Sequence, residues 1–514
     1  MKSCWCLLLL LLVGGRALAA AAAYTPPVFT DPDRPAKLRA VLPRLDRLYL
    51  EQVAEKHLPG LICGVMVDGE LIHVFAHGQA HLGAGRRVER DTRFRIASMT
   101  KSFTAMAILL LRDEGKLALD APVATYLPAF RAVQPLTADS PPVTLRHLLR
   151  MSGGFPQDDP WGDRRLADSV GQLEQLVSQG LSFSRPTGVR WEYSNLGYTL
   201  LGQVVTVVAG QPYQEFIRNR LLQPLGMTST VWEAAEVPAD RFATGYRWEK
   251  GVWREEPVLG DGTFGAMGGL ITTIDDFARY VAFHLDAWPP RNDPEAGPVR
   301  RATLREMHRP SEVIGVVKDS LAADGREVTR LAAYGYGLSY NQDDRGIVWI
   351  RHAGGLPGYG SEYRFLPDHG VALIALSNLT YAPMTALNAK AMEVLVTGGG
   401  LTAREPVASP VLQQRARELT LLLQTWDPAV MAAALAPNLF QDRDEADWRL
   451  EASTLLSQTG AIRSMTPVVA ENQLRGRFRL VGERGSIDVF FTLMPEAEPK
   501  VQELKLSFSP LTRG

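Results

Sequence analysis

With 514 residues, 46% hydrophobic and 22% charged, the chain has the make-up of a globular protein and too much length for one ordinary domain. Its 55 basic and 56 acidic residues leave a formal net charge of −1 and form no basic patch. Electrostatics therefore give no reason to expect a nucleic-acid partner.

Residues 1–23 differ from the rest. Lys2 supplies a positive start, 7–13 form an apolar run, Arg16 closes it, and Ala17-Leu18-Ala19 offers a small-x-small cleavage site. That is the layout of a secretory signal peptide, and the run is too short for a bilayer, which takes about 20 residues. The mature chain is expected to be exported, periplasmic or secreted, with no transmembrane span. Cys4 and Cys6 leave with the signal, so Cys63 remains alone in an apolar, strand-like stretch where a thiol acts as a small hydrophobe.

After prolines 26, 27, 32 and 35, Leu38, Val41, Leu45, Leu48 and Val53 recur near helical spacing. They predict a helix over 36–57 that Pro43 threatens to break in its first turn. Asp68-Gly69 predicts a hairpin joining strands at 60–67 and 71–76. The stretch 98–114 is apolar nearly all round, which predicts a buried helix, and Gly115 suits its C-cap. From 122 to about 287 the chain reads as mostly helix and loop, with its clearest helices at 145–151 (Thr144 as N-cap), 197–209 and 214–223. Asp275-Asp276 reads as a helix start. Strand patterns return at 346–351, 361–366 and 371–376, followed by a helix at 383–396. Strands thus bracket a helical insertion, which predicts an α/β sandwich beside an all-helical lobe with a cleft between them.

A glycine- and proline-punctuated stretch, 397–410, reads as a linker. It separates a domain spanning 24–396 from a small α+β module of unknown role and unknown partner over 411–514. In that module helices at 411–423 and 428–436 precede strands at 476–481, 486–493 and 500–508.

Ser98-Met-Thr-Lys101 opens the buried helix, and at i and i+3 the two polar side chains share one face. A serine hydroxyl needs a base, and a lysine serves once burial keeps it neutral. Moving a lysine from about 10.4 to about 7 takes on the order of 4 kcal/mol against its charged form. The plainer reading is a helix start followed by a surface lysine. Tyr193-Ser-Asn195 places Tyr193 and Asn195 on one side of an extended loop. The phenol could move protons and the amide could hold a carbonyl, against the plainer reading of a packed tyrosine and a helix cap. His352-Ala-Gly-Gly355 ends a strand whose small residues would let a substrate lie along it. His73, His77 and His81 share a spacing of four, but Gly78 interrupts them and no metal site is expected.

In this order the three motifs resemble the serine β-lactamase and penicillin-binding protein superfamily, whose signature is S-x-x-K, then S-D-N or Y-x-N, then K-T-G. The Y-x-N form is similar to the class C β-lactamase, D-alanyl-D-alanine carboxypeptidase and family VIII esterase branch. Further matching blocks lie at 91–98, 145–154, 224–227, 269–276 and 370–378. The resemblance implies the β-lactamase/transpeptidase-like α/β sandwich, with a central antiparallel sheet, and no metal or organic cofactor. It implies Ser98 as acylated nucleophile, Lys101 and Tyr193 sharing acid and base work, and substrate binding by Asn195, His352, Gly354 and Gly355. The Ser98 and Gly355 N–H groups would form an oxyanion hole. Its substrate would be a small molecule or peptide carrying an amide or ester, such as a β-lactam or D-amino-acid peptide. A carboxylesterase and a non-hydrolytic penicillin-binding sensor are the competing readings. His352-Ala353 stands where the family often has Lys-Thr, which weakens the grip on a substrate carboxylate. An unperturbed histidine there would make that grip pH-dependent.

Overall fold

The computed structural model describes residues 24–319 and 327–511. The proposed signal peptide lies outside them. The described residues divide into two compact units, a larger one within Phe29–Arg404 and a smaller one over 405–511 together with 24–28.

The larger unit is an α/β structure built on a nine-stranded antiparallel sheet. Its first helix, α1 (Arg34–Glu55), runs through Pro43 without breaking, because Pro43 lies on the exposed face. Buried Leu38, Val41, Leu45 and Tyr49 line the opposite face. The hairpin pairs β1 (Gly60–Val67) with β2 (Glu70–His81), and β3 (Arg86–Arg87) adds an edge. The buried helix α2 (Thr100–Asp113) and the helix α3 (Asn195–Ala209) belong to the helical part. The later strands are β4 (Glu312–Asp319), β5 (Val328–Tyr334), β6 (Ser339–Asp343), β7 (Val348–Leu356), β8 (Tyr359–Leu366) and β9 (Val371–Ser377), followed by α4 (Met384–Val396). The sheet order is β3-β2-β1-β9-β8-β7-β6-β5-β4, so strands from the two ends of the unit pair in its middle, Cys63 opposite Ala375.

Strand periodicity divides the apolar residues between two cores. Leu61, Cys63 and Val65 of β1, with Val371, Leu373 and Ala375 of β9, face α1 and α4. Ile62 and Met66, with Ala372, Ile374 and Leu376, face the helical part, which α2 enters buried almost throughout.

Several expectations need correction. The 122–287 region is mostly helix and loop as expected, with one short hairpin, Tyr246–Glu249 with Val252–Glu255. β4, β5 and β6 were not foreseen. The polar β6 (Ser-Tyr-Asn-Gln-Asp) is extended because neighbours hydrogen-bond it on both sides, not because of its own periodicity. The helix expected over 214–223 is α-helical only over Tyr213–Ile217 and then widens into a π turn. The stretch 397–410 is shared: Leu401 is buried in the α1/α4 core and the Arg404 N–H donates to the Asp368 carbonyl.

The smaller unit holds α5 (Pro410–Thr425), capped by Ser409, and α6 (Glu445–Thr459), which had no clear apolar stripe in the sequence. Its five strands are β10 (Ile462–Met465), β11 (Val469–Asn472), β12 (Arg475–Gly482), β13 (Gly485–Leu493) and β14 (Val501–Pro510). They are ordered β10-β12-β13-β14, with β11 also pairing with β12. Alternate residues Phe478, Leu480, Ile487, Val489 and Phe491 pack on the helices. Among the described residues of both units, no helix is long and apolar enough to cross a membrane.

Candidate active site

Ser98 does not begin α2 but sits in the tight turn Ala97–Met99 just before it. Ala97 adopts φ +48°, left-handed backbone that a residue with a Cβ visits at a cost. Ser361 holds this turn by donating to the Ile96 carbonyl at 2.8 Å. β7 crosses directly over it. A Cβ at Gly354 would collide with the Ile96 carbonyl oxygen and Ser361 Oγ, and would lie 3.0 Å from the Ala97 Cβ. Glycine at 354 is therefore what lets β7 lie against the serine turn.

Lys101, on the first turn of α2, is fully buried. Its Nζ lies 2.9 Å from Ser98 Oγ, 2.6 Å from Asn195 Oδ1 and 3.0 Å from the Met267 carbonyl. It is also 4.9 Å from the centre of the Tyr193 ring. Burial lowers its pKa to about 8, against the opposing pull of Asp159, Asp163 and Asp158. Burial pushes the Tyr193 phenol the other way, well above its usual value, with Asp159 adding to the effect and the Ser98 hydroxyl opposing it. At neutral pH the phenol keeps its proton.

Asn195 is the first residue of α3, with Ser194 as N-cap accepting from the Gly197 N–H. Asp158 reinforces the cap, accepting from the Asn195 N–H at 2.7 Å and the Leu196 N–H at 2.8 Å. Carboxylates are favourable at a helix N-terminus. Asp159 Oδ1 accepts from Asn195 Nδ2 at 2.6 Å, which turns the amide oxygen toward Lys101. The sequence reading missed Asp158, Asp159 and Asp163. Asp-Asp before a loop proline carries no signal until the fold lays it against Asn195.

His352 lies behind the reactive groups, its ring 6.5 Å from that of Tyr193. Nδ1 is 2.6 Å from the Ala353 carbonyl, so Nδ1 carries the hydrogen and Nε2 accepts from the Tyr334 hydroxyl at 3.1 Å. Burial, with Lys101 nearby, lowers its pKa to about 3. This corrects the expectation of a histidine titrating near neutrality: His352 is neutral and offers no charge to a carboxylate. Gly355 faces the Tyr381 ring, 2.7 Å from where a Cβ would stand.

The structure therefore gathers Ser98, Lys101, Tyr193 and Asn195 in direct contact or close to it, with His352, Gly354 and Gly355 on the strand beside them. The three spaced histidines do not converge. His73 pairs with Asp46 at 2.7 Å, His81 accepts from the Ala84 N–H, and His77 stacks near Phe75. Among the described residues no group of three or more potential ligands is placed to hold a metal.

Comparison with known proteins adds to this geometry. Residues 45–396 match the family model described as beta-lactamase. Esterase EstB of Burkholderia gladioli is 32% identical over 370 residues, 66% of this chain and 91% of that one. Penicillin-binding protein 4 of Amycolatopsis lactamdurans is 30% identical, covering 63% of this chain and 82% of that one. Among solved structures, an octameric penicillin-binding protein homologue from Pyrococcus abyssi covers 92% of this chain and 96% of its own (TM-score 0.57, 21% identity). A penicillin-binding protein from Bacillus halodurans covers 66% and 98% (TM-score 0.52, 25% identity). At these identities the first structural likeness speaks for fold alone.

Proposed function

The chain belongs to the β-lactamase family and is a serine hydrolase, and from that premise we propose that Ser98 forms an acyl-enzyme with Lys101 as its base. The observation that carries this is the setting of Lys101 Nζ. Asn195 Oδ1 and the Met267 carbonyl are both acceptors. A neutral amine has two hydrogens for them, which leaves its lone pair for the Ser98 O–H. Ser98 Oγ then attacks the carbonyl carbon while its proton passes to Nζ. The oxyanion forms beside the Ser98 and Gly355 N–H groups. Collapse breaks the bond to the leaving alcohol or amine, which takes a proton from the neutral Tyr193 phenol. Tyr193 recovers it from Lys101. Water then cleaves the acyl ester.

The substrate is an ester or amide of a small molecule or peptide. The neutral His352 and the carboxylates 158, 159 and 163 around Lys101 favour an ester or amide without a carboxylate beside the scissile bond. That supports the esterase reading over β-lactams and D-amino-acid peptides. Export follows from the layout of residues 1–23. Incubating the protein and Ser98→Ala with a short-chain aryl ester, a chromogenic cephalosporin, a fluorescent penicillin and a D-Ala-D-Ala peptide tests these points. Ester turnover lost in Ser98→Ala is expected. Equal turnover by both proteins refutes the nucleophile, and stable penicillin labelling without turnover refutes hydrolysis in favour of sensing.

A further inference from the structure

The one-turn helix Gly265–Gly268 meets the catalytic centre through its backbone. The Met267 carbonyl accepts from Lys101 Nζ, the Ala266 carbonyl accepts from the buried Thr104 hydroxyl, and the Leu270 N–H donates to Thr100 Oγ1 at 3.2 Å. All three partners lie on α2. Behind the turn stands Asp261, a residue the chemistry of Ser98 does not use. Its Oδ2 accepts from Gln214 Nε2 at 2.8 Å. Its Oδ1 is buried against the turn, where a Cβ at Gly265 or Gly269 would collide with it, and has no hydrogen-bond partner among the described residues.

Arg95 joins this arrangement. It is 2% exposed, and its guanidinium donates to the Leu259 and Gly269 carbonyls, the two ends of the segment that carries Asp261 and the turn. Carbonyls satisfy its hydrogens but bring no formal charge, and a buried cation needs one nearby. The carboxylates whose charge reaches it are Asp261 and Glu233. Around Asp261 itself, Glu233 Oε1 accepts from its N–H at 3.0 Å. The Tyr213 hydroxyl donates to the Gly262 carbonyl at 2.7 Å and stands 3.4 Å from Oδ2. Asp168 turns its carboxylate to Arg165 and offers Thr263 only its carbonyl. Burial pushes the Asp261 pKa up to about 7, with Glu233 adding to the effect and Gln214 and Arg95 opposing it. A proton is unwelcome at either oxygen, because Oδ1 has no partner to receive it and Oδ2 faces the Gln214 N–H.

We propose that Asp261 is a positioning residue for acylation: as a carboxylate, together with Arg95, it holds segment 259–269 so that the Met267 carbonyl keeps Lys101 Nζ directed at Ser98. Protonation of Asp261 strips Arg95 of a counter-charge and loosens the turn, so the rate falls in acid for a reason separate from Lys101. The inference rests on Lys101 acting as base toward Ser98, and the experiment separates the two.

The measurement is kcat/KM for a short-chain aryl ester from pH 5.5 to pH 9 in the wild type, Asp261→Asn and Ser98→Ala. The Asn side chain stands for the neutral acid, and the Lys101 limb cancels in the ratio of wild type to Asp261→Asn. That ratio should be about tenfold at pH 9, the scale of a slightly misplaced catalytic group, and should fall toward one at pH 5.5 with its midpoint near pH 7. A purely structural defect would lower the rate equally at every pH. Should Asp261→Asn fail to fold, Gln214→Met removes the donor that favours the carboxylate, and its rate relative to wild type should dip about twofold between pH 7 and 8 for a shift of about one pH unit. A ratio independent of pH in either variant, with Ser98→Ala inactive, overturns this inference and leaves the nucleophile standing. Activity retained in Ser98→Ala overturns the reading beneath it.

Discussion

Replacing Lys101 by Met should cost the protein its activity and change how its stability depends on pH. Burial lowers the Lys101 pKa from 10.5 to about 8. At about 1.4 kcal/mol per pH unit, the charged form is disfavoured in the fold by about 3 kcal/mol. The sign follows from proton counting. Below pH 8 the lysine is protonated both folded and unfolded, and the fold bears the whole cost. Between pH 8 and 10.5 the unfolded chain holds a proton that the folded chain has released, so stability rises with pH. Of the total, about 2 kcal/mol should return between pH 7 and pH 9.5, or about 3 °C in Tm for a unit of this size. The Met variant leaves Asn195 Oδ1 and the Met267 carbonyl without a donor, a penalty that does not vary with pH. Calorimetric melting of both proteins at several pH values gives the difference curve, in which other titrating groups cancel. A wild-type-minus-variant difference that stays flat over that range refutes the reasoning. In the wild type the acylation rate should rise with pH to a plateau, half-maximal near pH 8.

Gly354→Ala should force β7 away from the Ile96–Ala97 turn, at a cost of about 1–3 kcal/mol in stability. Its kcat should fall more than its KM rises, measured on the same aryl ester. Asp158→Ala removes two cap bonds from α3 and should lower stability by about 1–2 kcal/mol in denaturant melts. The same variant should lower kcat, because Asn195 loses its anchor. His352→Gln should leave the shape of the pH–rate profile between pH 5 and 8 unchanged, since His352, with its pKa lowered to about 3, is already neutral there. A profile that changes shape would show that His352 titrates in that range.

The central strands and the helices of the larger unit were legible because burial on both faces of β1 and β9 writes near-continuous apolar runs, and helical period marks α1. Ser98, Lys101, Tyr193 and Asn195 were legible as ordered motifs. What escaped depends on neighbours. β4 carries exposed Val313 and Val316 at the end of the sheet, and β6 is polar, so neither displays strand alternation. The Met267 carbonyl is backbone, which no side-chain pattern can announce. Asp158 and Asp159 acquire their role only through contact with a helix start 37 and 36 residues on. His352 was legible as a position but not as a charge state, because its burial and its bond from Tyr334, which reaches across from β5 two strands away in the sheet, depend on residues distant in the sequence.

The most direct measurement is the mass of the protein caught during turnover of a short-chain aryl ester by rapid acid quench, followed by peptide mapping. One acyl group on the peptide containing Ser98, absent from Ser98→Ala, is the predicted result. An acyl group on another residue, or Ser98→Ala turning over the ester at the wild-type rate with no adduct in either protein, contradicts it.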